Sequence, residues 1–284
     1  MRWGIWTGFY SDYDLASALR RLARLGWRDV EVSSEHIERI LASDAPQRHL
    51  AEVREVAAGE GMTLWQVHIW LDLDITPGDK AKAREQMNIA LRWLDAAMAL
   101  HIPNAVIHPG GRHRPLNDDG TYQRVMADNV RAFSALAAHI KGSPTRLCIE
   151  NMLNTDQGPR YGSRLEDLWA LVDAVGEPHV GFCLDTGHAH VVGIDVADAV
   201  HALGPRLWAS HIADNDGSGD QHRFPYGGTI DWESVVRAYR EVGYSGLWDL
   251  EVPGERCEAI AVRDMKLEYA AKLMRWMLEM DSDA

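Results

Sequence analysis

Short apolar runs alternate with amphipathic stretches eight times along the chain. The runs at 2–8, 29–34, 63–70, 104–110, 146–151, 180–185, 206–214 and 247–252 are six to nine residues long and rich in Val, Ile and Trp, the composition of buried strands. The stretches at 14–26, 46–61, 80–100, 121–141, 163–176, 195–203, 231–243 and 257–280 carry helical periodicity. In the first of these, Leu15, Leu19, Leu22 and Leu25 share one face and Gly26 supplies the stop. Met87, Leu91 and Leu94 form a comparable stripe, and Gly142, Ser143 and Pro144 end the fourth helix. Ser163 and Glu166 have capping-box spacing, and Asp231 and Gly243 bracket the seventh helix as cap and stop.

Strands alternating with helices predict parallel βα units, and eight of them predict one closed (β/α)8 TIM barrel of the α/β class, a single domain spanning 1–284. The competing open, doubly wound sheet lacks a GxGxxG after its first strand. Long loops are expected at 109–120, 152–162 and 213–229, all on the rim reached by the strands' carboxyl ends.

A hydrophobic content of 46% supports a full core. No apolar run reaches the length of about 18 residues that a membrane span needs, and the N-terminal stretch reads as a first strand instead of a signal peptide, so the expected location is the cytoplasm. The 29 basic residues against 42 acidic ones, a balance of −13 with only five lysines, argue against nucleic acid as partner. Cys148 and Cys183 lie two residues before Glu150 and Asp185, so strand alternation places them inward, below the rim. With Cys257 they form no CxxC and read as buried thiols of a reducing compartment.

The chemistry sits where the strands end. His68, His108, Glu150, Asp185, His211 and Glu251 each close an apolar run, and His188, Asp220 and His222 follow in adjoining loops. In a barrel all nine converge on the rim where such folds do chemistry. Glu150, Asp185, His211 and Glu251 offer hard carboxylate and imidazole ligands suited to Mn, Mg, Co or Zn, without the thiolates of a closed structural zinc site. His188 stands beside Asp185, Asp220 and His222 have the i, i+2 spacing that grips one ion from an extended loop, and His68 and His108 end adjacent strands. One ion is expected and up to three are allowed. Asp249 points inward one layer below Glu251 as a supporting partner. The plainer readings are buried ion pairs for the carboxylates and substrate hydrogen bonding or surface placement for single histidines; His101, His113 and His190 read as bystanders.

The segments HPGG (108–111), IEN (149–151), CLDTGHA (183–189), SHIADNDG (210–217), DQHRFPYGGTIDW (220–232) and LEV (250–252) carry a resemblance over nearly the full chain. The chain resembles the xylose isomerase-like TIM-barrel superfamily, which holds sugar-phosphate isomerase/epimerase proteins and endonuclease IV. In the isomerase and epimerase branch, the resemblance implies one metal at Glu150, Asp185, His211 and Glu251. Glu150 and Glu251 are then also the acid/base pair, the metal polarises a carbonyl and its neighbouring hydroxyl, and an enediolate-type proton transfer follows. His188 and Arg223 would bind substrate oxygens, and Trp6, Phe9, Trp70 and Tyr226 could wall a sugar ring. In the endonuclease IV branch it implies three zinc ions on His68, His108, Glu150, Asp185, His188, His211, Asp220, His222 and Glu251, and hydrolysis of a phosphodiester.

The isomerase or epimerase reading, on a small keto-sugar, polyol or sugar derivative, leads. The alternatives are the multi-zinc phosphodiesterase, a related lyase or dehydratase, and a non-catalytic sugar-binding barrel. The loop expected after the second strand carries Glu35, Glu38 and Asp44 against Arg39, and the one after the third carries Asp72 and Asp74, neither suited to gripping phosphates. Homo-oligomerisation is left open by the sequence.

Overall fold

The computed structural model describes residues 1–253 and 259–279. Its parallel strands are β1 (Arg2–Trp6), β2 (Asp29–Val32), β3 (Thr63–His68), β4 (Asn104–Ile107), β5 (Arg146–Glu150), β6 (Val180–Asp185), β7 (Leu207–Ile212) and β8 (Leu247–Leu250). They lie side by side in chain order and close into a barrel where β1 pairs with β8, Arg2 standing opposite Leu247. The α/β barrel expected from the alternation is the fold of the protein.

Helices cover the outside: α1 (Leu15–Arg24), α2 (Ser34–Ala42), α3 (Pro46–Gly59), α4 (Lys80–Ala99), α5 (Asp119–Ile140), α6 (Leu165–Val175), α7 (Thr186–Val191), α8 (Val196–Leu203), α9 (Trp232–Glu241) and α10 (Ile260–Glu279). In α1, Leu15, Leu19 and Leu22 are buried as their spacing requires, and Asp14 caps the first turn by accepting from the Ser17 amide. Asp231 caps α9 by accepting from the Ser234 amide at 3.2 Å.

Several expectations are corrected. The segment after β2 is the helix α2, with Ile37 and Ile40 buried, and not a loop. Thr186–Val191 is a short helix, capped by Asp185. The first strand stops at Trp6, because Thr7–Tyr10 turns into a 3-10 segment. Ser163 does not cap α6; Arg164 is the capping residue, and its side chain makes an ion pair with Asp167 at 2.8 Å instead. The expected start of the last helix at Cys257 lies outside the described residues.

Two apolar layers hold the fold. The larger fills the space between strands and helices, with Trp27, Phe133, Phe182, Trp232 and Trp248 fully buried. The smaller lies inside the barrel and consists of Val106, Cys148, Cys183 and Ala209. The two thiols face inward as expected, are free, and are raised by burial, Cys148 to about 12. Small side chains here make a floor that leaves the layer above to larger polar groups. Among the described residues no helix is long and apolar enough to cross a membrane.

Candidate metal and substrate site

Parallel strands end together, so the residues that close them meet. Glu150, at the end of β5, is the hub. Its Oε2 lies 3.2 Å from His68 Nε2 and 3.2 Å from His108 Nε2. Its Oε1 lies 3.1 Å from His211 Nδ1 and 3.5 Å from His188 Nδ1. His211 Nδ1 is also 3.4 Å from Glu251 Oε2. Asp220 Oδ2 is 3.5 Å from His188 Nε2 and 3.1 Å from His222 Nε2. With Asp185 Oδ2 3.9 Å from His188 Nδ1, all nine ligand-type residues singled out in the sequence stand in one connected group.

The motif residues around them fix this geometry. Asn151 ties β5 to β6, donating to the Asp185 carbonyl at 3.0 Å and accepting from the Asp185 amide at 2.7 Å. Asp185 accepts from the His188 amide at 2.6 Å, which starts α7 and swings His188 over the rim. Thr186 ties β6 to β7, its hydroxyl donating to the Ala213 carbonyl at 2.8 Å. The long loop after β7 is wound on the buried Asp214, which accepts from the Gly228 amide and the Trp232 indole, both at 2.9 Å. A Cβ on Gly228 would stand 2.2 Å from the Asn215 carbonyl oxygen, so only glycine fits this turn. The clamp holds Asp220 and His222 toward the barrel. His222 takes a positive φ of 44°, a costly conformation for a non-glycine residue, and its Nδ1 donates to the Glu251 carbonyl at 2.9 Å.

The imidazole hydrogen bonds test whether this group suits a cation. His68 Nδ1 meets the Ile69 carbonyl at 2.5 Å, His188 Nδ1 the Asn151 carbonyl at 2.9 Å, and His222 Nδ1 the Glu251 carbonyl at 2.9 Å. A carbonyl only accepts, so each Nδ1 carries the proton and each Nε2 of a neutral ring presents a lone pair. Each Nε2 faces a carboxylate oxygen of Glu150 or Asp220, a contact that either a second proton on the ring or a cation between the two groups satisfies. Asp185 Oδ2 is buried without a hydrogen-bond partner among the described residues. Ligand atoms of Asp185, His211 and Glu251 lie within 4.8 Å of one another, as do those of Glu150, Asp185 and His188, and of His68, Glu150 and His211. The donor set is hard and fits a divalent ion.

The electrostatics are polarised. Burial works to raise Glu150, but the His211 and His108 imidazoles hold it well below the usual carboxylate range. Burial dominates at Glu251 and lifts it to about 7 against the pull of His211 and His222. Burial alone would lower His188, yet the Asp185 carboxylate and the Asp220 hydrogen bond bring it up to about 10.

Above the ligands opens a cavity of about 330 Å³ lined by Trp6, Leu71, Met152, Leu153 and Pro253 together with the His68, His108, His188 and His222 imidazoles, Glu150, Asp220, Glu251, Arg112 and Arg160. Trp6 and His188 thus stand in the lining. Arg223, Trp70, Phe9 and Tyr226, expected as substrate contacts, do not. Arg223 is turned to Asp216 and the Gly227 carbonyl, both at 3.0 Å, by its pairing across the loop. Trp70 and Phe9 pack against the outer core, and Tyr226 lies against Trp276 with ring centroids 5.6 Å apart.

Three residues were missed. Glu31 of β2 reaches under the site, its Oε2 2.9 Å from His211 Nε2, and accepts from Gln66. An acid at the centre of the apolar run Val30–Val32 was the available signal. Asp249, expected one layer below Glu251, is fully buried beside this pair, and burial raises it well above the usual carboxylate range. Arg112 and Arg160, from the loops after β4 and β5, enter the cavity lining; only the length of those loops pointed to them.

A family model described as xylose isomerase-like TIM barrel matches residues 19–280. An uncharacterized protein, y4fM, of Sinorhizobium fredii is 28% identical over 171 residues, 57% of this chain, which spans about half (51%) of that protein. A D-psicose 3-epimerase of Enterocloster bolteae is 24% identical over 257 residues, covering 87% of this chain and 80% of the epimerase. A probable endonuclease 4 of Mycoplasmoides gallisepticum is 25% identical over 211 residues, 69% of this chain and 62% of that protein. Among solved structures, a D-tagatose 3-epimerase-like protein superposes with a TM-score of 0.80 at 20% identity, over 98% of this chain and 97% of the other.

Proposed function

The chain belongs to the xylose isomerase-like TIM-barrel family, and on that premise we propose that it is a divalent-metal-dependent isomerase or epimerase of a small keto-sugar, polyol or sugar derivative. One observation carries the reading: the buried His211 Nδ1 stands between Glu150 Oε1 at 3.1 Å and Glu251 Oε2 at 3.4 Å, and both carboxylates line a cavity of about 330 Å³. Two carboxylates meeting at one imidazole under a sugar-sized space are what a proton transfer next to a carbonyl requires.

Glu150, Asp185, His211 and Glu251 would hold the ion, which when bound supplies Lewis-acid polarisation of a carbonyl and its neighbouring hydroxyl. The remaining steps fall to the chain. Glu150 and Glu251 accept and return the proton at the carbon beside that carbonyl. His188 orients a substrate oxygen. Trp6, Leu71, Met152 and Leu153 exclude water from the carbon skeleton. The likeness to a D-psicose 3-epimerase supports this class of reaction.

A specific observation favours a second reading. His68, His108, His188, Asp220 and His222 all join the same group, enough for a second and third ion, as a multi-zinc phosphodiesterase would use. The likeness to probable endonuclease 4 agrees with it. Two measurements separate the readings: metal content per chain, and incorporation of solvent deuterium into keto-sugars at the carbon next to the carbonyl. Deuterium incorporation supports the isomerase or epimerase; its absence, with cleavage of an abasic-site oligonucleotide, supports the hydrolase.

A further inference from the structure

Arg160 is the outlier of the cavity. Its residue is 8% exposed, its side chain lines the cavity, and among the described residues that side chain has no hydrogen bond and no ion pair. The other ionic groups of the lining are matched. The imidazoles face Glu150 or Asp220, Glu251 faces His211, and Arg112 pairs with Asp72 at 3.0 Å. Glu150 and Asp74 are near enough to act on the Arg160 charge, yet neither bonds to it. Burial draws the guanidinium down to about 10, which leaves it charged at neutral pH.

A buried arginine without a partner is costly, and buried charges in folded proteins are paired. A fixed guanidinium fork open to a cavity matches a planar or tetrahedral oxyanion through two parallel N–H bonds. A neutral sugar could accept hydrogen bonds from the fork but would leave its buried charge uncompensated.

We infer that the substrate of this site is anionic, a keto-sugar or sugar derivative bearing a carboxylate or phosphate that Arg160 holds while the reacting carbons face Glu150 and Glu251. The inference rests on the isomerase or epimerase reading of the same cavity, and names its substrate class.

The test compares three probes by calorimetry on the protein as purified, with metal content checked in each variant: D-fructose, D-fructose 6-phosphate and a 2-keto-hexuronate. At least one anionic probe is expected to bind about tenfold or more tighter than D-fructose, and which one does so distinguishes phosphate from carboxylate. Arg160→Met is expected to bring the ratio to within about twofold at unchanged metal content and melting temperature, and Arg160→Lys to keep part of it. Equal binding of all three probes, no binding of any at millimolar concentration, or an Arg160→Met protein that keeps the anion preference would overturn the inference. Deuterium exchange measured alongside separates the two readings. An Arg160-dependent anion preference without exchange leaves the anion site standing and removes the proton transfer. Exchange into D-fructose without anion preference does the reverse.

Discussion

His68 and Glu150 face each other, Nε2 to Oε2, in a contact that needs either a second proton on the ring or a cation between them. His68 donates from Nδ1 to the Ile69 carbonyl, so its neutral ring turns a lone pair from Nε2 toward Glu150 Oε2, 3.2 Å away. The same commitment recurs at His188 and His222. Rings of metal-binding histidines are held this way, one nitrogen on a carbonyl and the other free to ligate. His222→Ala is therefore expected to lower the number of tightly held ions per chain while leaving one at Glu150, Asp185, His211 and Glu251. Elemental analysis of protein purified without chelator checks this, and unchanged content would remove the loop imidazole from coordination.

Glu150→Gln keeps the shape of the hub but removes its charge and its basicity. Turnover on whichever keto-sugar exchanges deuterium should fall by about 100-fold or more. Far-ultraviolet circular dichroism should be unchanged, because the strand that carries Glu150 is held by its neighbours. Near-normal turnover would take Glu150 out of the proton transfer.

Much of this is legible in the sequence. The ends of β3 to β8 were marked by a polar ligand after an apolar run, which is why the nine convergent residues could be named. The misses have physical causes. α2 was read as loop because polar Ser34, Glu35 and Glu38 hide the Ile37 and Ile40 spacing. α7 is only one and a half turns, too short for periodicity, and depends on Asp185 as its cap. The family resemblance assigns Arg223 to substrate oxygens, but its pairing with Asp216 is a loop contact that no sequence period encodes. Arg160 has no local pattern at all, since it becomes special only through where a fourteen-residue connection returns.

Gly228→Ala should act on the site from a distance. The new Cβ would collide with the Asn215 backbone carbonyl and with the Asp214 carboxylate, which the Gly228 amide and the Trp232 indole hold in place, so the loop must shift. A stability loss of about 1–3 kcal/mol is expected from such overpacking. Because the same loop presents Asp220 and His222, their metal binding should weaken together with the melting temperature. A stable variant with full metal content would show that the clamp is not needed.

His36 gives a pH dependence remote from the ligands. Its Nε2 donates to the Tyr13 carbonyl at 3.1 Å, and the Thr7 and Ser33 hydroxyls approach Nδ1 at 3.1 and 3.0 Å. Burial, aided by Arg39, lowers it from 6.5 to about 4. The unfolded chain then binds the extra proton between these values, so this contribution is full above pH 6.5 and is lost as pH falls toward 4. Denaturation at pH 7 and pH 4.5 should show roughly 2–3 kcal/mol more loss in the native protein than in His36→Gln. Parallel losses in the two proteins would assign the acid sensitivity elsewhere.

Glu31 should tune the metal without touching it. His211 Nε2 lies 2.9 Å from Glu31 Oε2, and both residues are fully buried. With its Nε2 proton held there, His211 offers the Nδ1 lone pair to the side where Glu150 and Glu251 stand. Glu31→Gln would let the ring proton move to Nδ1, since an amide can donate to Nε2 as well as accept from it. Metal affinity should drop about 10- to 100-fold, the usual cost of losing such a partner. Competition against a chelator of known affinity measures it. Glu31→Asp, one methylene shorter but still an acceptor, should recover part of the loss if the carboxylate sets the tautomer. Equal weakening in both variants would mean that Glu31 merely fills space beneath the ring.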